Sequence, residues 1–204
     1  MASLPPPSPP SLPTNRRTGL VTALVATALL GGGVAVYAAT RDTTAPPVEA
    51  SLTVTDDTGL FNVVAPDSYE IDTAPVDLQG VSTPSITAAG NIDLFDSGYD
   101  ERGFSVFALS PEQAADSNDA AAQFSDQLTN DCGSASTLDD LETSIGPARH
   151  VVGEDCGPNA ATAVMLAIDE QNSGFVFVVI AQGLEGPDGV AALATAVLES
   201  LYLN

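Results

Sequence analysis

The sequence contains no lysine and no tryptophan, a single histidine (His150) and two cysteines (Cys132 and Cys156). Five arginines face 27 acidic residues, for a net charge of −22. Phosphate binding depends on clustered Lys and Arg, so this scarcity argues against a nucleic-acid partner and against adsorption to anionic lipid surfaces. One His and two Cys fall short of the roughly four ligands of a structural zinc site. Triad chemistry lacks its frame as well: the chain has no GxSxG elbow, and His150 sits beside Arg149 in an expected strand, where a surface or edge position is the plain reading.

What is present sorts into segments. The 204 residues are 44% apolar with mean hydropathy +0.17, which rules out a wholly disordered chain despite the charge. Residues 1–17 open with MASLPPPSPPSLPT, a proline-rich stretch expected to be a disordered cytoplasmic tail. Pro6 and Pro9 carry PxxP spacing for an SH3-like domain, but a disordered, solvated leader is the plain reading. Residues 18–40 hold no charge. As a helix of about 1.5 Å per residue they reach about 35 Å, against a hydrocarbon core of about 30 Å. Arg16-Arg17 precede this span, and Arg41 beyond it is followed at once by Asp42. The positive-inside rule then places the N-terminus in the cytoplasm and the rest outside, as a single-pass anchor in the cell membrane. The rival is a secreted protein released by cleavage near Ala38, where Val36-Tyr37-Ala38 resembles a small-residue site. Arg16-Arg17 hints at twin-arginine export, although Gly19 stands where a bulky apolar residue is usual. Gly31, Ala35 and Ala39 repeat every four residues, the small-residue spacing of helix dimers, and one common by chance in so Ala- and Gly-rich a segment. Gly31-Gly32-Gly33 lies within the span and is no phosphate loop.

Residues 41–51 read as a linker stiffened by Pro46-Pro47, and residues 52–204 as the exported domain. From Val48 onward 26 acidic residues meet two arginines. Leu52–Thr55 and Leu60–Val64 flank Asp56-Asp57-Thr58-Gly59 as a hairpin signal. Ser85–Ala89, Phe104–Leu109, Ala148–Val152, Thr162–Ile168 and Phe175–Ala181 read as further strands, and Asn91–Phe95 as a helical turn. Ser117 or Ser110 is expected to cap a helix carrying Ala121, Phe124 and Leu128. Pro187 opens an amphipathic helix with Val190, Leu193, Val197 and Leu201 on one face. The fold class that follows is α+β, an antiparallel β-sheet with flanking helices.

The run Asp56-Asp57-Thr58-Gly59-x-Phe61-x-Val63-x-x-Pro66-x-x-Tyr69 resembles the opening of exported actinobacterial domains related to PsbP, the lumenal photosystem II protein, with Tyr69 in place of the usual Trp. Phe104–Ala108, Cys132-Gly133, Cys156-Gly157 and the closing helix extend the resemblance over about residues 52–204. It implies a PsbP-like α/β sandwich. It carries no shared catalytic residues, since its motifs are structural.

Cys132 and Cys156 enclose a 25-residue loop on the side of the membrane where oxidation is permitted. A structural disulfide is expected; free thiols or a redox pair are the rivals, and the spacing is wrong for CxxC. Two acidic clusters, Asp93/Asp96/Asp100/Glu101 and Asp139/Asp140/Glu142, carry oxygen ligands suited to calcium but match no EF-hand. With so many acids, a solvated face is the default. The expectation is therefore a non-catalytic exported domain, without cofactor or metal, that binds a protein, cell-wall component or small ligand. A hydrolase using two of the carboxylates is the alternative.

Overall fold

Alternating apolar residues build the centre of the molecule. In Ala161–Asp169 (β10), Val164, Leu166 and Ile168 point to one face and Ala163, Met165 and Ala167 to the other, and all are buried. A strand buried on both faces belongs in the middle of a sheet with a layer on each side. The computed structural model, which describes residues 50–171 and 173–204, has that arrangement. The remaining strands of the large sheet are Glu70–Asp72 (β3), Ser85–Ala89 (β6), Gly103–Leu109 (β7), Ser134–Thr143 (β8), Gly146–Cys156 (β9) and Val176–Gly183 (β11). Its seven strands run β3-β6-β7-β11-β10-β9-β8, each antiparallel to its neighbours.

One face is covered by the helix Ser117–Asp131 (α2), whose Ala121 and Leu128 pack with Met165, Val151 and Val178. Two further elements share the other face. The helix Pro187–Ser200 (α3) lies there on Val190, Ala194, Val197 and Leu198. Beside it is a three-stranded sheet of Ser51–Thr55 (β1), Phe61–Pro66 (β2) and Tyr202–Leu203 (β12). Phe61 meets Phe177 edge to face, with ring centroids 5.5 Å apart; burying one such ring contributes about 1.5–3 kcal/mol. A short helix, Ile92–Ser97 (α1), and a hairpin, Val76–Leu78 (β4) with Val81–Thr83 (β5), complete the fold.

The expected antiparallel sheet with flanking helices is present, and the expected strands and helices lie within or overlap observed elements. The hairpin at Asp56 is tightly held: Asp56, itself buried, accepts hydrogen bonds from the backbone N–H groups of Thr58 (2.9 Å) and Phe61 (2.8 Å). One cap differs from expectation. Neither Ser117 nor Ser110 caps α2; Asp116 does, accepting from the Asp119 N–H at 2.9 Å. Ser117 is the first helical residue and donates its N–H and hydroxyl to Asp169, each at 2.8 Å, while Ser110 binds the Gln113 side chain. The strands β3, β4, β5, β8 and β12 had no counterpart in the sequence reading. The proline-rich tail, the apolar span with Gly31, Ala35 and Ala39, and residues 41–49 of the linker lie outside the described residues. Among the described residues no helix is long and apolar enough to cross a membrane.

Candidate functional site

The helix α2 packs on β8, β9 and β10 and reaches β11, without comparable packing on β7. Strand alternation turns Phe107 and Leu109 of β7, and Val178 and Ile180 of β11, toward the uncovered strip. The α2 residues Ala120 and Phe124 form one wall, with Gln123 and Gln127 above them. Leu78 and Gln79 of the β4–β5 hairpin form the opposite wall. Together these side chains enclose a groove of about 690 Å³, within the range of about 300–1,000 Å³ typical of small-ligand sites.

Its glutamine amides are arranged in a line. Gln79 Nε2 donates to Gln123 Oε1 (3.2 Å), and Gln123 Nε2 donates to the Gln113 carbonyl (3.1 Å). Gln113 Nε2 in turn donates to Thr83 Oγ1 at 2.5 Å. Gln113 and Thr83 are buried, and the Gln113 side-chain oxygen accepts from Ser110, so this inner end of the line is fully satisfied and fixed. The outer end is tensioned. Gln79 and Gly80 form the two-residue turn with φ of 58° and 82°, the geometry of a type I′ hairpin. Gln79 occupies a left-handed position that favours Gly or Asn, and strain of this kind, about 1–3 kcal/mol, gathers at ligand clamps. Among the described residues, the charged ones lining the groove are Asp77 and Asp126, both exposed at its rim. Asp77 accepts from the Gly80 N–H at 2.8 Å. Among the described residues no serine, cysteine or histidine lines the groove. The arrangement offers apolar contact and amide hydrogen-bonding groups.

A second cleft of about 450 Å³ lies beside the β10–β11 turn, lined by Ile145, Ile168, Phe177 and Leu201 with Asp169 and Glu170. Its carboxylates are committed to structure. Asp169 holds the start of α2 through Ser117, and Glu170 accepts from the Ser173 N–H.

The other residues singled out from sequence are scattered. The Cys132 and Cys156 sulfurs are 2.10 Å apart, a disulfide distance, and tie the end of α2 to the end of β9. Gly153 makes room for them, because a Cβ there would stand 2.9 Å from both Cys132 Sγ and Leu128 Cδ1. His150 is neither on the surface nor on an edge strand: it is half-buried on β9, inside the edge strand β8. Burial lowers its pKa from the usual 6.5. Its sequence neighbour Arg149 is directed to the opposite face and binds both Asp140 carboxylate oxygens, at 2.5 and 2.6 Å. Tyr99 donates to Asp131 at 3.1 Å, and burial together with that carboxylate pushes its phenol up to about 12. Of the acidic clusters, Asp93 and Asp96 lie on or beside α1, Asp100 accepts from Asn159 Nδ2 at 2.6 Å, and Asp139, Asp140 and Glu142 lie along β8. Among the described residues no three potential metal ligands come together.

The groove itself was missed from sequence. Its signals were the alternation of Phe107 and Leu109 behind the buried Phe104 and Val106, and Gln123, Phe124 and Gln127 on one side of α2.

No protein-family profile matches the sequence, and no curated protein matches it. Among solved structures, the chain is similar to the Ran-binding protein Mog1p of Saccharomyces cerevisiae at 10% identity and a TM-score of 0.48, over 76% of this chain and 96% of that one. It is also similar to the PsbP protein of the cyanobacterium Synechocystis, CyanoP, at 13% identity and a TM-score of 0.42, over 77% of this chain and 94% of that one. Likeness at this level assigns the chain neither a family nor a function.

Proposed function

We propose that this chain is a membrane-anchored, extracytoplasmic, non-catalytic binding module, with its N-terminus in the cytoplasm. The domain of residues 52–204 takes a small, largely apolar ligand, neutral or cationic, in the groove between α2, β7, β11 and the β4–β5 hairpin. The observation that carries this reading is the groove's construction: an apolar floor of Phe107, Leu109, Val178 and Ile180 under a line of glutamine amides, with carboxylates as its only charges. Carboxylates at the rim disfavour anions. The cellular side rests on the charge-free run after Arg16-Arg17 and on a cysteine pair suited to an oxidising compartment.

Nile red, a neutral apolar dye, serves as the probe. The chain is expected to enhance its fluorescence, and Ile180→Trp, which fills the groove from a partly exposed position, is expected to abolish the enhancement without unfolding the protein. Equal enhancement by the variant overturns the groove as the site. Turnover of a cell-wall glycan by the purified chain overturns the non-catalytic reading. Protection of the domain from protease on intact spheroplasts overturns the orientation.

A further inference from the structure

Strand β8 ends the seven-stranded sheet and, among the described residues, is hydrogen-bonded only to β9. It is 10 residues long, whereas natural sheets keep open edges short. Antiparallel ladders turn the N–H and C=O of alternate residues outward, so a row of backbone groups without strand partners runs along it. The register with β9 shifts between Leu138 and Leu141, where Asp139 and Asp140 together stand opposite Arg149, one residue of extra length. Arg149 neutralises Asp140. Asp139 and Glu142 have no cationic partner among the described residues. Leu138, 46% exposed, lies on the face where α3 packs on β10 and β11.

These features decide between occupants. A second copy of the chain would bring Asp139 and Glu142 against their own like charges, which is unfavourable across paired strands, and would add another net charge of −22. A cationic strand meets the opposite situation. We infer that β8 is a docking edge for an extended, Lys- or Arg-bearing segment of a partner protein. The segment joins the sheet as an eighth strand, its basic side chains at Asp139 and Glu142 and an apolar side chain over Leu138. Backbone hydrogen bonds supply affinity in strand addition, and the alternating side chains supply selectivity. The same carboxylates that prevent self-association select the partner.

The probe is a synthetic peptide of about eight residues alternating lysine and valine, which at about 3.4 Å per residue covers most of β8. Added to the isotopically labelled 204-residue chain, it is expected to slow hydrogen exchange along β8 and to shift the Thr137 and Leu138 resonances. Phe124 and Gln79 in the groove should not move. N-methylation of alternate peptide amides keeps the charge, removes the strand hydrogen bonds and should abolish binding. The double substitution Asp139→Lys/Glu142→Lys should weaken binding about tenfold or more. So should a rise in ionic strength from about 0.1 M to about 1 M, which shortens the Debye length from about 10 Å to about 3 Å. Equal binding of the N-methylated peptide, equal binding of a glutamate–valine peptide, or perturbation of the groove in place of β8 each overturns the proposal.

Discussion

Replacing both sulfurs, as Cys132→Ala/Cys156→Ala, is expected to destabilise the domain by about 4.5 kcal/mol. Most of that comes from the denatured state. A cross-link closing 25 residues removes loop entropy equivalent to about 3.5 kcal/mol at room temperature. The remainder comes from the native state. A Cβ on Gly153 would stand only 2.9 Å from Cys132 Sγ, so the sulfur fills the space that glycine leaves open. Losing it opens a void of roughly methyl size, which costs about 1 kcal/mol. Urea denaturation of the unreduced proteins measures the difference, and the variant's steeper m-value should report its more expanded denatured chain. A cycle with Gly153→Ala separates the two contributions. In the native background the new methyl meets both Cys132 Sγ and Leu128 Cδ1 at 2.9 Å and should cost about 1–3 kcal/mol. With Cys132→Ala only the Leu128 clash remains, so the cost should fall, with a coupling of about 0.5 kcal/mol or more. A loss below about 1 kcal/mol for the double variant, or two thiols that alkylate in unreduced, denatured protein, would refute the argument.

Gly103→Ala should cost about 3 kcal/mol by chemical denaturation, because its Cβ would lie 2.7 Å from the Ala88 carbonyl oxygen, which is backbone and cannot give way. Tyr99 should ionise near 12 in an ultraviolet titration of the folded protein, and Asp131→Asn should move it downward. A phenol pKa raised in the native state contributes stability below its ordinary value of 10, and that contribution is lost as pH climbs toward 12. His150 works in the opposite sense: its pKa is lowered from 6.5 in the folded state, so the unfolded chain binds the proton first. Stability should decline as pH falls through 6.5 and below, and His150→Phe should flatten that slope in denaturation curves taken across the same range.

How much of this was legible from sequence depends on burial. Strands β10 and β11 were clear because apolar residues fill both faces, and α3 because Pro187 marks its start and Val190 and Val197 its buried face. Strand β8 was invisible for the same reason inverted. SASTLDDLET is exposed over most of its length, so no hydrophobic period marks it, and its β-structure is imposed by pairing with β9. The β4–β5 hairpin was hidden by its three-residue strands and by Gln79 where Asn would have announced the turn. The α2 cap was misassigned because Ser117 has the right chemistry, but its hydroxyl is drawn to Asp169 on a distant strand and Asp116 takes the role. The groove draws on residues from Asp77 to Ile180, and no local pattern reports a surface assembled from four separate elements.

Strand β12 pairs with β2, so Tyr202 lies opposite Asn62 and Leu203 opposite Phe61. The small sheet that shields Phe61 and Val63 therefore stays incomplete until residues 202–203 are available. While the chain is being synthesised, its first hairpin waits for a partner made more than a hundred residues later. Pairings of such long range are slow to form, because loop closure comes before any reward from contact. Until then the β1–β2 hairpin keeps one open edge, along the Phe61 and Asn62 backbone that residues 202–203 later cover.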